Sequence, residues 1–141
     1  MQTRDQRYAE KIFEQVSAFK REHPQKNKHR EYGSMAHKLP VLIRTAGLAQ
    51  ALAFVAASGQ KKLPHQQLLE DVAQAIAHLN GGHQTAAQFL EKSRTASLGD
   101  YMKLTHDALA SLLWYKRFAQ SVLDVEPGDE PAENETAQTK E

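Results

Sequence analysis

The stretch YGSMAHKLPVLIRTAGLAQALAFVAASG, residues 32–59, decides the fold of this chain. Its second half, from Leu48 to Ala57, is apolar around nearly the whole circumference of a helix, and Gln50 is the one polar residue in it. A helix that lacks a polar face needs neighbours on most of its sides. We therefore expect this segment to lie at the centre of a helical core.

The first half of the stretch belongs to a second predicted helix, over about Glu31 to Thr45. Pro40 lies inside the apolar pattern of this helix, where proline removes a backbone donor and crowds the preceding turn. A kink, or a break into two short helices near Lys38, is therefore expected. Gly47 suits the left-handed residue that ends a helix, so we expect the chain to turn there directly into the next helix.

The rest of the chain repeats the apolar spacing of helices and shows no pattern typical of strands. Residues 23–30, HPQKNKHR, are predicted to form a mobile basic loop, with a phosphate contact as the alternative. Trp114 is placed at the edge of the core. Together the patterns predict an all-α fold, a single-domain bundle of about six helices over residues 1–123. The other predicted helices cover about residues 5–22, 48–59, 65–79, 85–92 and 98–123.

Charge divides the chain into a basic body and an acidic tail. Residues 1–123 carry 17 Lys and Arg against 10 Asp and Glu, a net charge of +7. Residues 124–141 carry 7 acids against one Lys, a net charge of −6. A basic body attracts polyanions, chiefly nucleic acid. Beyond Val125 the tail has no large hydrophobic residue, so residues 124–141 are predicted to be disordered.

The composition also excludes several classes of protein. The chain has no cysteine, which rules out disulfides and thiolate metal sites and gives no argument for secretion. The polar N-terminus is not a signal peptide, and no apolar run reaches the roughly 20 residues that span a bilayer. We therefore expect a cytoplasmic protein with no membrane partner.

No constellation of catalytic or metal-binding residues is visible in the sequence. His78 and His83 are split by the Asn-Gly-Gly turn at 80–82, so histidines at the surface or at helix ends are the plainer interpretation. Glu70 and Asp71 point about 100° apart on a helix, so their carboxylates do not converge. The sequence predicts no enzyme, no metal site, no cofactor and no small-molecule substrate.

Basic residues remain as the candidates for function. Together they could form a groove or stripe that contacts the backbone of a nucleic acid without reading its sequence. Few exposed aromatic residues are expected between them, which argues against base stacking. Arg4, Arg7 and Lys11 form a further basic line on the first helix. The candidate nucleic-acid contacts are Lys38, Arg44, Lys61, Lys62, Lys116 and Arg117.

The central stretch also carries a family resemblance. Tyr32 and the pair Met35-Ala36 precede a Leu-Pro pair at 39–40 and an Ile-Arg pair at 43–44, and the run GLAQALAF follows at 47–54. This pattern resembles the small α-helical subunit of type III-B CRISPR RNA-targeting effector complexes, the Cmr complexes. The opening helix and the closing helix, in which a Trp precedes a basic pair, are similar to the same family.

The resemblance implies a non-catalytic small subunit that acts in antiviral defence. Such subunits stack head to tail into a short filament and contact the backbone of guide RNA and target RNA. The implied partners are other Cmr subunits, copies of the chain itself, and both RNAs within the complex. Inside the motif, Leu39, Leu52 and Phe54 are expected to pack in the core, and Arg44 alone to contact RNA. The alternative is a helical protein–protein interaction module with no direct nucleic-acid contact.

Overall fold

Six α-helices account for most of residues 1–129, the part of the chain that a computed structural model describes. These residues include no strand. The predicted all-α fold and six-helix bundle are therefore confirmed. The predicted tail beyond residue 129 lies outside the described residues. The helices are α1 (Arg4–Glu22), α2 (Lys26–Ala46), α3 (Leu48–Gly59), α4 (Leu63–Leu79), α5 (Ala86–Thr95) and α6 (Leu98–Ser121).

The first and last helices, α1 and α6, pack side by side and run in parallel. Arg4 of α1 contacts Asp107 of α6, and farther along the same pair Phe13 contacts Phe118. Each helix buries residues at a spacing of three or four, the pattern that an amphipathic helix produces when it packs on one side. The buried apolar residues of the two helices are Tyr8, Ile12, Val16, Phe19, Ala108, Leu112, Tyr115 and Ala119.

Helix α2 is longer than its predicted span at the N-terminal end. It begins at Lys26, so the predicted mobile loop over residues 23–30 is wrong for residues 26–30. The cause is His29, which is buried beside the Phe19 ring and lies one turn before Tyr32. It extends the buried stripe of the helix toward the N-terminus, although the local sequence contains no large apolar residue.

Pro40 does not divide α2, which runs through it as one helix of 21 residues. The predicted break near Lys38 is therefore wrong. An interior proline costs a helix about 3 kcal/mol, but Leu39 and Ile43 on either side are buried. Because tertiary packing supplies most of the stability of a helix in a protein, burial of these neighbours outweighs the missing hydrogen bond.

Helix α3 lies at one side of the bundle and not at its centre. Leu48 and Leu52 are buried as predicted, but Ala53 and Ala57 are exposed, and Phe54 is 54% exposed. The prediction that Phe54 packs in the core is wrong. Alanine forms helices well whether or not it is buried, so an alanine-rich segment without a polar face does not require neighbours on all sides.

The chain packs two residues beyond the predicted end of the bundle at residue 123. After α6, Val125 N donates to Ala119 O at 2.8 Å, and the Val125 side chain is only 1% exposed. It lies against Gly33 of α2. His37 Nε2 also lies 2.9 Å from Val125 O. This segment closes the bundle where the predicted acidic tail begins.

Candidate nucleic-acid interface

The six predicted nucleic-acid contacts differ in exposure and do not form one cluster. Lys38, Arg44, Lys61 and Arg117 are exposed, while Lys62 and Lys116 are half-buried. Arg44 lies in the last turn of α2, beside the corner where Ala49 N donates to Tyr101 Oη of α6 at 3.1 Å. Lys116 is 15 residues beyond Tyr101, which is about 22 Å along a helix. The arginine of the motif is therefore far from the pair on α6.

Lys61 and Lys62 lie in the turn between α3 and α4, and this turn has a fixed backbone. Both of their amides donate to Ser58 O, at 3.1 and 3.0 Å, and the Lys62 carbonyl accepts from His65 N at 3.0 Å. Ser58 Oγ and His65 Nδ1 lie 2.6 Å apart across the same turn. The turn therefore holds two neighbouring cations on a rigid base.

Several cations outside the six candidates form contacts within the bundle. Arg4 and Lys103 both bind the buried carboxylate of Asp107, with Lys103 Nζ 2.9 Å from Oδ2. Arg7 donates to the Leu79 carbonyl at 3.3 Å. The predicted basic line on α1 is therefore partly occupied by contacts within the bundle. It has less positive charge to offer a nucleic acid than the sequence indicates.

An aromatic patch formed by Phe13, Trp114 and Phe118 lies beside the basic end of α6. The Phe13 and Phe118 rings meet edge to face, with centroids 5.4 Å apart, and Trp114 stacks on Phe118 at 5.6 Å. Phe13 is 48% exposed, and the other two rings are partly exposed. Arg117 is exposed and sits one turn after Trp114.

The sequence analysis missed this patch because it placed Trp114 at the edge of the core and expected few exposed aromatic residues near the basic ones. The spacing of these residues in the sequence nevertheless indicates the patch. Phe13 follows Ile12, whose position faces the core, so Phe13 points about 100° away from it. Trp114 and Phe118 are spaced four residues apart, so they share one face of α6 with Arg117 close by. Exposed aromatic residues therefore do accompany the basic pair of α6, contrary to the expectation.

The buried carboxylate of Asp71 has a structural role in the described part of the chain. Tyr32 Oη donates to Asp71 Oδ2 at 2.6 Å, and Gln67 Nε2 donates to Oδ1 at 2.9 Å. Burial raises the pKa of Asp71 to about 6, against the opposing effect of these two hydrogen bonds. Burial also raises the pKa of Tyr32 well above its usual range, so the phenol remains a donor.

Glu70, the neighbour of Asp71, performs a different task. Its Oε1 accepts from Ala86 N at 2.8 Å, at the first residue of α5. An anion at this place satisfies a free amide and interacts favourably with the helix dipole. The two carboxylates diverge as predicted, one into the core and one toward α5. Their hydrogen bonds account for both without a catalytic role.

Three of the histidines are buried, and one of them, His37, lies inside α2, neither at the surface nor at a helix end, contrary to the expectation. They are His29, His37 and His65. His37 and His65 contact Val125 O and Ser58 Oγ respectively, so they join parts of the bundle. Within residues 1–129 no group of three or more His, Asp or Glu side chains could hold a metal ion. No helix of this part is both long and apolar enough to cross a membrane.

Comparison with known proteins agrees with this architecture. The family model for the CRISPR-associated protein Cas_Cmr5 matches residues 4–122. The "CRISPR system Cmr subunit Cmr5" of Thermus thermophilus is 41% identical over 124 residues, which are 88% of this chain and 99% of the relative. The crystal structure of a CRISPR-associated Cmr5 family protein, also from Thermus thermophilus, superposes with a TM-score of 0.74 at 39% identity. The superposition covers 89% of this chain and 100% of the Thermus thermophilus protein. The chain therefore belongs to the Cas_Cmr5 family of CRISPR-associated proteins.

Proposed function

We propose that this chain is a non-catalytic small subunit of a type III-B CRISPR RNA-guided effector complex. In this proposal it stacks with copies of itself into a short filament and contacts the backbone of guide and target RNA in antiviral defence. The observation that carries the proposal is the 41% identity to a relative named as a Cmr subunit, across almost the full length of both chains. Other Cmr subunits are then its protein partners, and the cytoplasm is where it acts.

The distribution of charge supports backbone contact as the form of RNA binding. The net charge of +7 over residues 1–123 attracts phosphates irrespective of sequence. The rigid turn at Lys61 and Lys62 and the C-terminal part of α6 at Lys116 and Arg117 present cations in pairs. Lys38 and Arg44 are further candidates on α2.

Replacement of Lys61, Lys62, Lys116 and Arg117 by Glu tests the RNA contact in the assembled complex. We expect weaker binding of target RNA and a smaller salt dependence. Each lost phosphate contact lowers the slope of log K against log salt concentration by about 0.7–0.9, so four contacts lower it by about 3 per copy. Fluorescence anisotropy of a labelled target RNA at several salt concentrations measures both quantities.

The matched control replaces four exposed cations on α2 and α5 by Glu, with the same change in net charge. Its residues are Lys26, Arg30, Lys92 and Arg94. An affinity and a salt slope that fall equally in both variants would show that the four candidate residues contribute no more than other exposed cations, which include Lys26 and Arg30 from the segment with the alternative phosphate contact. Unchanged values in the first variant would refute the RNA contact at these residues.

The alternative is a protein–protein interaction module without direct nucleic-acid contact. The contacts of Arg4, Arg7 and Lys103 favour this alternative, because they hold part of the positive charge within the bundle. The two functions differ in the intact complex. Ultraviolet crosslinking to target RNA yields adducts on this chain if it contacts the RNA. Under the alternative, the chain assembles normally and yields none.

A further inference from the structure

We propose that bases of single-stranded RNA stack on the aromatic patch formed by Phe13, Trp114 and Phe118. The proposal rests on the proposed RNA contact and specifies how it is made. The bases stack on the aromatic rings, and the phosphates contact a neighbouring cation. It changes the expected mode of binding from the backbone alone to backbone and base together. It still requires no reading of sequence, because every base has a π face.

The rings of the patch are more exposed than most other aromatic side chains of the bundle, and unlike the exposed ring of Phe54 they lie together. Phe13 is 48% exposed, although an apolar ring gains free energy from burial. Five aromatic side chains elsewhere in the bundle have at most 2% of their surface exposed: Tyr8, Phe19, Tyr32, Phe89 and Tyr115. The exposed rings also touch one another, so they form a continuous surface.

The patch has a fixed geometry because two helices and one hydrogen bond hold it. Phe13 comes from α1, while Trp114 and Phe118 lie one turn apart on α6. Trp114 Nε1 donates to Asp5 Oδ1 at 2.9 Å, which fixes the orientation of the indole. A preformed aromatic surface binds with a smaller loss of conformational entropy than one that must be assembled.

The charge around the patch favours a polyanion. Arg117 is exposed between Trp114 and Phe118 in the chain, and Lys20 follows Phe13 by two helical turns on α1. The carboxylate of Asp5 accepts a hydrogen bond from the Trp114 indole. Glu10 lies one turn before Phe13 on α1, and together with Glu14 it lines a depression that also contains the cations Arg7 and Lys11. Proteins that bind single-stranded nucleic acids combine aromatic rings, on which bases stack, with Arg and Lys side chains, which contact the phosphates.

Trp114 is the only tryptophan among the 141 residues, so its fluorescence reports directly on the patch. The full chain is titrated at low salt with an oligouridylate of about 12 nucleotides, within the usual length of such sites. An abasic ribose-phosphate oligomer of the same length is the matched probe. We expect the oligouridylate to quench Trp114 emission and the abasic oligomer to leave it unchanged. Anisotropy of labelled oligomers gives the affinity independently.

Variants separate ring stacking from general apolar contact. Phe13→Ala and Phe13→Leu are both expected to weaken oligouridylate binding by about fivefold or more, because the loss of one stacked base has this effect. Phe13→Leu keeps an apolar side chain, so it also guards against a folding defect. Leu113→Ala on α6 and Phe54→Ala on α3 remove side chains of similar exposure, 49% and 54%. Both controls are expected to bind as the unaltered chain does.

Several results would overturn the proposal. RNA binding without a change in Trp114 emission, or equal quenching by the abasic oligomer, would show that bases do not stack there. No binding of either oligomer up to about 100 µM, the weak end for non-specific binding, would overturn it as well. If Phe13→Leu blocked assembly with partner subunits and left RNA affinity unchanged, the patch would be a protein interface. Failure of the proposed function is a separate result, namely unchanged target affinity after the four substitutions at Lys61, Lys62, Lys116 and Arg117.

Discussion

Gly33 and Val125 are in such close contact that no side chain fits between them. A Cβ atom built on Gly33 would lie 2.7 Å from Val125 Cβ and within 2.9 Å of both γ carbons. Gly33 is inside α2, where glycine is less favourable than alanine by roughly 0.5–1 kcal/mol. Glycine is nevertheless required at this position, because any larger residue would displace Val125 and the segment that follows α6.

The first prediction concerns this contact. Gly33→Ala is expected to destabilise the chain by about 1–3 kcal/mol, because the added methyl group displaces Val125. Gly99→Ala is the matched control: it lies in the first turn of α6 with nothing within 4 Å of the new methyl group, and should be neutral or slightly stabilising. Urea unfolding measures both. A Gly33→Ala variant as stable as the control would contradict the close packing.

Stability should also depend on pH through Asp71. Its folded pKa of about 6 exceeds the ordinary value of 3.8, so between these values the folded state binds more protons than the unfolded state. Stability therefore falls as pH rises from about 4 to 6, by about 2–3 kcal/mol, and then levels off. Asp71→Asn, which cannot ionise, should lack this component.

Urea unfolding at pH values from 4 to 7 tests the role of Asp71. The difference in stability between the unaltered chain and Asp71→Asn should grow with pH in favour of the variant. Glu91→Gln, at an exposed position on α5, serves as the control for loss of a carboxylate. Parallel pH profiles for the unaltered chain and Asp71→Asn would show that the buried carboxylate does not titrate in this range.

Because Arg4 and Lys103 both bind Asp107, we expect their replacements to lower the stability of the chain in a strongly non-additive way. Replacement of Arg4 or Lys103 by Ala leaves the buried carboxylate with one partner, and each change should cost at most about 1 kcal/mol. The double replacement leaves Asp107 buried without its two cations and should cost about 3 kcal/mol or more. A double-mutant cycle in urea provides the measurement. Additive losses would show that Asp107 does not need either cation.

The acidic tail is expected to compete with RNA for the basic body. Deletion of the residues after Val125 changes the net charge from +1 to +6, since residues 1–125 contain 17 cations and 11 acids. We expect higher affinity for random RNA at low salt, with a smaller effect at high salt. In a second variant the tail keeps its length but its acidic residues are replaced by Gln. This variant separates the effect of the tail's charge from the effect of its length. No gain at low salt in either variant would refute the competition.

Local sequence signals mark where α1 and α5 begin and where α2 turns into α3. Thr3 and Thr85 form capping boxes with the residues three positions later, and Gly47 has the positive φ of 90° that a turn between two helices requires. These features depend on neighbours in the sequence, so their spacing contains the necessary information.

The errors arose where the outcome depends on distant parts of the chain. His29 is helical and buried because Phe19 lies beside it. Phe54 is exposed because none of the six helices within residues 1–129 covers that side of α3. Phe13 and Phe118 meet at the surface although 105 residues separate them in sequence. Hydrophobic periodicity identifies the apolar positions of a helix, but it does not show which of them another helix will cover.

The parallel pairing of α1 with α6 also has a consequence for how the protein is made. Tyr115 bonds to Gln15 across 100 residues, and Arg4 to Asp107 across 103. During synthesis the first helix leaves the ribosome long before the last one exists. Helix α4 can cover one part of the buried face of α1 earlier, but the part that packs on α6 stays uncovered until α6 has been made. The contacts between α1 and α6 can form only after α6 has been synthesised, and nascent chains that stall before α6 are the species most in need of a chaperone.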